Sequence, residues 1–120
     1  MKRLLVAAAA LVLMPAAAQA ADLSGVWKVH GAFTGVITYT ALCTFKQTGT
    51  NLAGPCVDKT NNTNAPATGT VKAGAVEFTY VATFNGITAH LDYKGALQPD
   101  GTLKGVIATG GPQGAFTANR

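Results

Sequence analysis

The sequence predicts an all-β fold, an eight-stranded antiparallel up-and-down barrel preceded by a cleaved signal peptide, and three observations lead there. The stretch Ala75 to Leu97 alternates apolar and polar residues on both sides of Asn85-Gly86, the dipeptide that best supplies the positive φ angles of a type I′ hairpin turn. Further runs with period-two alternation are separated by Gly-, Pro-, Asn- and Asp-containing turn signals, and no internal run has helical periodicity. The strand total is even, which makes the first and last strands antiparallel and able to close on one another. An open sandwich of the same strands is the alternative.

The chain begins with Lys2 and Arg3, an apolar run from Leu4 to Met14, Pro15 and then Ala18-Gln19-Ala20. This order is that of a secretory signal peptide, residues 1–20, cut after Ala20. The apolar run is shorter than the ~20 residues of a spanning helix, so no membrane span is expected after cleavage. Residues 21–120 then form a single domain, periplasmic or secreted. Loss of Lys2 and Arg3 lowers the formal charge from +4 to +2, too small and scattered for a nucleic-acid partner. Cys43 and Cys56 in an exported chain suggest one structural disulfide, worth roughly 3 kcal/mol for a loop of this length.

In order, Val26 to His30 reads as a first strand with Trp27 and Val29 inward, and Gly31 to Gly35 as a turn. Val36 to Gln47 is a long second strand with Ile37, Tyr39, Ala41, Cys43 and Phe45 inward, and pairing the two sets Trp27 opposite Tyr39. The next turn allows two registers. A type II′ turn at Gly49-Thr50 makes Cys43 face Cys56 but puts Pro55 where a ladder N–H is wanted; a turn at Thr48-Gly49 frees Pro55 but leaves the cysteines diagonal. A bulge near Gly54-Pro55 would reconcile them. Leu52 to Val57 is strand three, Asp58 to Pro66 a polar loop, and Ala67 to Lys72 a short strand four. The central hairpin supplies strands five and six, with Phe84 facing Ile87, Ala82 facing Ala89, Tyr80 facing Leu91 and Phe78 facing Tyr93 on the inner face. Gln98-Pro99-Asp100-Gly101 is a turn, Thr102 to Ala108 strand seven, Gly110 to Gln113 a turn and Gly114 to Asn119 strand eight.

The two ends of the domain carry a resemblance. Leu23-Ser24-Gly25-Val26-Trp27 opens strand one with Gly-x-Trp, and Phe116-Thr117-Ala118-Asn119-Arg120 closes strand eight with Arg. The chain resembles the calycin superfamily, the barrels that include lipocalins, fatty-acid-binding proteins and avidins. The resemblance implies a closed-end pair in which Trp27 plugs the barrel beneath the Arg120 guanidinium, a cation–π contact. It also implies a ligand held inside the open end. With one Trp and no C-terminal helix or helical lid, the chain departs from the individual calycin families. A similar Leu-Ser-Gly-x-Trp with one disulfide opens small periplasmic inhibitors of metalloproteases, which implies the alternative of a protein-binding module; only Ala21 and Asp22 precede the matching segment here.

The end opposite the termini is the expected mouth, formed by Gly31 to Gly35, the loop through Asn61-Asn62, Asn85-Gly86 and Gly110 to Gln113. Inward residues near it are Ile37, Tyr39, Tyr80, Ala82, Phe84, Ile87, Ala89, Ile107 and Phe116. The expected function is binding of a small apolar or amphipathic ligand by Ile37, Tyr39, Tyr80, Ala82, Phe84, Ala89 and Phe116, where two tyrosines add hydroxyls to an apolar wall. The competing reading is an interior filled by these same side chains, as in an envelope protein with no small ligand, or a barrel that uses its mouth loops on a protein partner. No enzyme, cofactor or metal is expected. His30, His90 and Asp92 face outward, without the burial that tunes catalytic groups.

Overall fold

The computed structural model describes residues 22–120, and the expected signal peptide lies outside the described residues. Eight strands follow in chain order: β1 (Gly25–Phe33), β2 (Ile37–Thr48), β3 (Asn51–Asp58), β4 (Thr63–Lys72), β5 (Ala75–Phe84), β6 (Ile87–Leu97), β7 (Leu103–Ala108) and β8 (Gly114–Asn119). Each runs antiparallel to its neighbours, and β8 pairs with β1, so the sheet is a closed barrel rather than an open sandwich. No helix among the described residues is long and apolar enough to cross a membrane.

The β5–β6 hairpin has the expected register, from Ala75 opposite Ala96 to Phe84 opposite Ile87. Asn85 and Gly86 take φ of 51° and 80°, as a type I′ turn requires. Val76, Phe78, Tyr80, Ala82, Leu91 and Tyr93 turn into the barrel, while Glu77, Thr79, Asp92 and Lys94 stay exposed.

The first hairpin departs from expectation. Trp27 faces Cys43, and Tyr39 faces Gly31. The reason is Gly31, which reads as a turn residue but continues β1 beneath the Tyr39 ring, where a Cβ would stand 2.3 Å from the ring. The turn falls instead at Thr34 to Val36, and Phe33 gains an inward, buried position. In the β2–β3 hairpin the Gly49-Thr50 turn wins, with Cys43 opposite Cys56 at a Cα separation of 4.0 Å and the two joined in a disulfide. The register is the same on both sides of Gly54-Pro55, so there is no inserted bulge residue. Pairing simply lapses opposite Thr44 and Phe45, which spares Pro55 from donating. The polar stretch after Asp58 also differs, since β4 starts at Thr63 and pairs along all of β3, Pro55 opposite Pro66.

Leu23 and Trp27 plug the end that holds the termini. The Trp27 indole N–H donates to the Leu23 carbonyl at 2.8 Å, and the Arg120 guanidinium lies 4.5 Å from the indole centroid. Arg120 also donates to the Asp22 and Ser24 carbonyls, tying the last residue to the first described ones. Above this plug Phe45, Phe78, Tyr93 and Phe116 pack edge-to-face and stacked, at centroid separations of 4.3–6.0 Å. The lower and middle barrel is thus filled by side chains.

Candidate functional site

The mouth owes its shape to two places where the barrel wall stops pairing early. The β4–β5 ladder ends at Thr68 opposite Thr79. Two residues further the same register would set Pro66 against Val81, and Pro66 has no N–H to give. Beyond the gap one side chain replaces the ladder: the Thr63 hydroxyl accepts the Thr83 N–H at 3.0 Å and donates to the Thr83 carbonyl at 3.4 Å. On the other side the β6–β7 ladder ends at Asp92 opposite Ala108, so Ile87 to Leu91 have no β7 partner. The tip of the β5–β6 hairpin therefore stands above the rest of the wall.

Between that tip and the β1–β2 and β7–β8 turns lies an open recess of about 450 Å³, lined by Phe33, Ile37, Phe84, Ala89, Leu91 and Pro112 among others. Its rim carries Val36 and Ile87, 70% and 69% exposed. Of the residues expected to bind a ligand, Ile37, Phe84 and Ala89 line this recess. Tyr39, Tyr80, Ala82 and Phe116 are buried in the layer beneath. Ile87 was expected inward and sits instead on the exposed rim, because the hairpin tip rises clear of its neighbours.

Beneath the recess floor three hydroxyls meet. Tyr93 on β6 bonds Tyr39 from β2 at 2.5 Å and Tyr80 from β5 at 2.8 Å, all three rings being buried. Asp58, at the mouth end of β3, is also buried. Its carboxylate accepts the Asn61 N–H at 3.1 Å and the Asn61 side-chain amide at 2.7 Å, which folds the β3–β4 loop back on the strand. Tyr93 and Asp58 were missing from the sequence-derived set. Alternation does place Tyr93 inward opposite Phe78, and extending strand three by one residue turns Asp58 inward, but neither shows which side chains meet across the barrel.

Burial pushes the Tyr80 hydroxyl up to about 12, with the Asp58 charge adding to it. Burial and the neighbouring phenols hold Tyr39 and Tyr93 above the ordinary phenol range too. In the unfolded chain these phenols ionise near pH 10. The folded state keeps its protons to higher pH, so stability is full below about pH 10 and falls as pH rises from there toward about 12. A denaturant midpoint that drops between pH 9 and pH 11, and drops less in Tyr80→Phe, is the expected result; a flat midpoint would contradict it.

The outer surface gathers no comparable chemistry. His30 bonds Thr40, Asp92 accepts from Thr79, His90 stands exposed, and no group of three metal-capable side chains forms among the described residues. No family model matches the chain, and no curated protein or solved structure matches it either.

Proposed function

We propose that this chain is an exported, calycin-like barrel that binds a small apolar or amphipathic molecule at its mouth, for carriage or sequestration. The observation that carries the reading is the apolar recess. Exposed apolar surface costs free energy in water, and a concave apolar patch of this size is what a small ligand covers. The Trp27–Arg120 plug at the far end supports the calycin comparison, and the disulfide fits an oxidising compartment.

Native mass spectrometry of the protein from its own host, with extraction of anything bound, is the direct test. Ala89 is the position to alter, because it lines the recess, whereas Ala82 is buried and a larger side chain there would strain the core. Ala89→Leu is expected to weaken binding of a neutral hydrophobic dye about tenfold while the protein stays folded. A wild-type protein that carries nothing and binds no such dye would end this reading.

A second reading, a protein-binding module, is favoured by Val36 and Ile87 on the rim. An inhibitor that acts through its N-terminal segment is less favoured. Leu23 is fully buried and its N–H is bonded to Gln47, so from Asp22 onward the segment belongs to the barrel.

A further inference from the structure

The top of β6 is a free sheet edge. β7 stops at Ala108, opposite Asp92, and Ile87 to Leu91 rise beyond it with no strand on that side. The two-residue turn at Asn85-Gly86 makes Phe84 and Ile87 a hydrogen-bonded pair, so alternate residues of β6 from Ile87 onward turn their N–H and C=O toward β5. The Leu97 N–H, of the same parity, donates back across that seam to the Gly74 carbonyl. Thr88 and His90 therefore direct both of their backbone groups the other way, into the space above β7. Both residues are exposed, and no strand or turn among the described residues bonds to either backbone. The neighbouring β7–β8 turn is closed on itself, the Thr109 hydroxyl accepting the Gly111 N–H and donating to the Pro112 carbonyl.

Edge strands are ordinarily guarded by Lys, Pro or an inward-pointing charge. Ile87-Thr88-Ala89-His90-Leu91 has no Lys, Arg, Asp, Glu or Pro. The segment is also complementary to itself. When it is laid antiparallel on a second copy about a two-fold axis at Ala89, Thr88 of each copy faces His90 of the other. The two N–H and two C=O groups of each copy then close four hydrogen bonds. Ala89 faces Ala89 in a non-hydrogen-bonded pair, where Cα atoms approach to about 4.5 Å and a small side chain fits best. Ile87, 69% exposed, comes to lie opposite Leu91 of the other copy, against the recess lining. The length matches too. The added strand continues the line of β7, and its own Asn85-Gly86 turn carries it away before it meets Ala108. The two Asp92 side chains stand six residues apart along the pair, about 20 Å, so no like charges face one another.

We infer that the free edge of β6 pairs with the same edge of a second copy, which gives a two-fold dimer with its mouths facing each other. This goes beyond the ligand-binding reading and does not depend on it. An extended peptide of another protein could use the same four groups, but it would not account for the small residue at the centre or for the matching length. Five paired residues from each copy make an interface smaller than the ~1,200 Å² of a stable complex, so the dimer is weak, with a midpoint on the order of 50 µM.

Sedimentation of the disulfide-intact protein from about 5 to about 500 µM tests this, because association follows protomer concentration. Conversion from monomer to dimer over that range is expected. Thr88→Pro removes an N–H from the free edge and none from the β5 ladder, and it should stay monomeric. So should Ile87→Lys, which sets a charge against Leu91 of the other copy; Ile87 is exposed in the monomer, so this variant folds even if the proline variant does not. Single cysteines then read the register. Ala89→Cys is expected to form an intermolecular disulfide about tenfold faster than Ile87→Cys, because only Ala89 faces itself, whereas two Ile87 residues lie about 14 Å apart along the pair. Random collision would favour the more exposed Ile87→Cys instead. A protein monomeric throughout overturns the inference, whether water or another protein's strand then meets the edge. So does a dimer that survives in both Thr88→Pro and Ile87→Lys, or an Ile87→Cys that cross-links as fast as Ala89→Cys.

Discussion

Replacing Trp27 with Ala is expected to lower the melting temperature by about 15 °C or more. Trp27 is fully buried, and with Leu23 it is the plug at one end of a core that runs the length of the barrel. Truncating such a side chain removes its transfer free energy and leaves a cavity, a loss of about 3–5 kcal/mol. It also orphans the Leu23 carbonyl that accepts the indole N–H. In a domain near 100 residues each kcal/mol shifts the midpoint by about 4–8 °C. Trp27→Phe, which keeps most of the volume but not the donor, should recover more than half of the loss. Arg120→Ala should cost much less, about 1 kcal/mol, because the guanidinium is exposed and its cation–π contact is correspondingly weak. Thermal unfolding with the disulfide intact reads all three. A Trp27→Ala midpoint within 5 °C of wild type would mean that the Leu23–Trp27 plug is not part of the cooperative core.

The central hairpin was legible because its signals are local. Alternation fixes the inner face, Asn85-Gly86 fixes the turn, and the turn then fixes every pair from Phe84–Ile87 outward. Where a signal had two meanings, sequence reading faltered. Gly31 looks like punctuation and is in fact the space that the Tyr39 ring fills; this misread shifted the first hairpin and hid Phe33. The Asn- and Pro-containing start of β4 has poor strand propensity, yet it pairs because β3 beside it supplies a full ladder.

The site was legible in composition and not in depth. Parity along each strand correctly turned Tyr39, Tyr80, Ala82 and Phe116 inward. How far down the barrel each lies depends on strand tilt and stagger, which parity does not carry. Tyr39, Tyr80 and Tyr93 come from three strands of the wall and meet because their side chains reach into the interior at matching heights. The recess exists for a reason equally remote from pattern, the early ends of the β4–β5 and β6–β7 ladders.

Gly105→Ala is expected to destabilise the barrel by about 3 kcal/mol or more, although it adds one methyl group at a position with no unusual φ. A Cβ there would lie 2.0 Å from the Lys94 carbonyl oxygen and 2.4 Å from the Cα of Gly95, its cross-strand partner. Every atom in the way is backbone, so no side chain can rotate to make room, and β6 and β7 must separate. Overpacking alone costs about 1–3 kcal/mol, and parting the strands weakens ladder hydrogen bonds as well. The same close approach recurs at Gly54 against the Thr44 oxygen, at Gly69 against the Glu77 oxygen and at Gly114 against the Ala32 oxygen. These contacts fall at the β2–β3, β4–β5, β6–β7 and β8–β1 seams, every second seam around the barrel. The sheet therefore turns sharply at four glycine corners, which is how so small a barrel closes around aromatic side chains. Gly111→Ala is the matched control, since only the Thr109 hydroxyl lies near and at 3.8 Å; it should be neutral or slightly stabilising. Chemical denaturation of both variants decides the matter. Equal midpoints would mean that the corners yield without cost and that closure is set by the core alone.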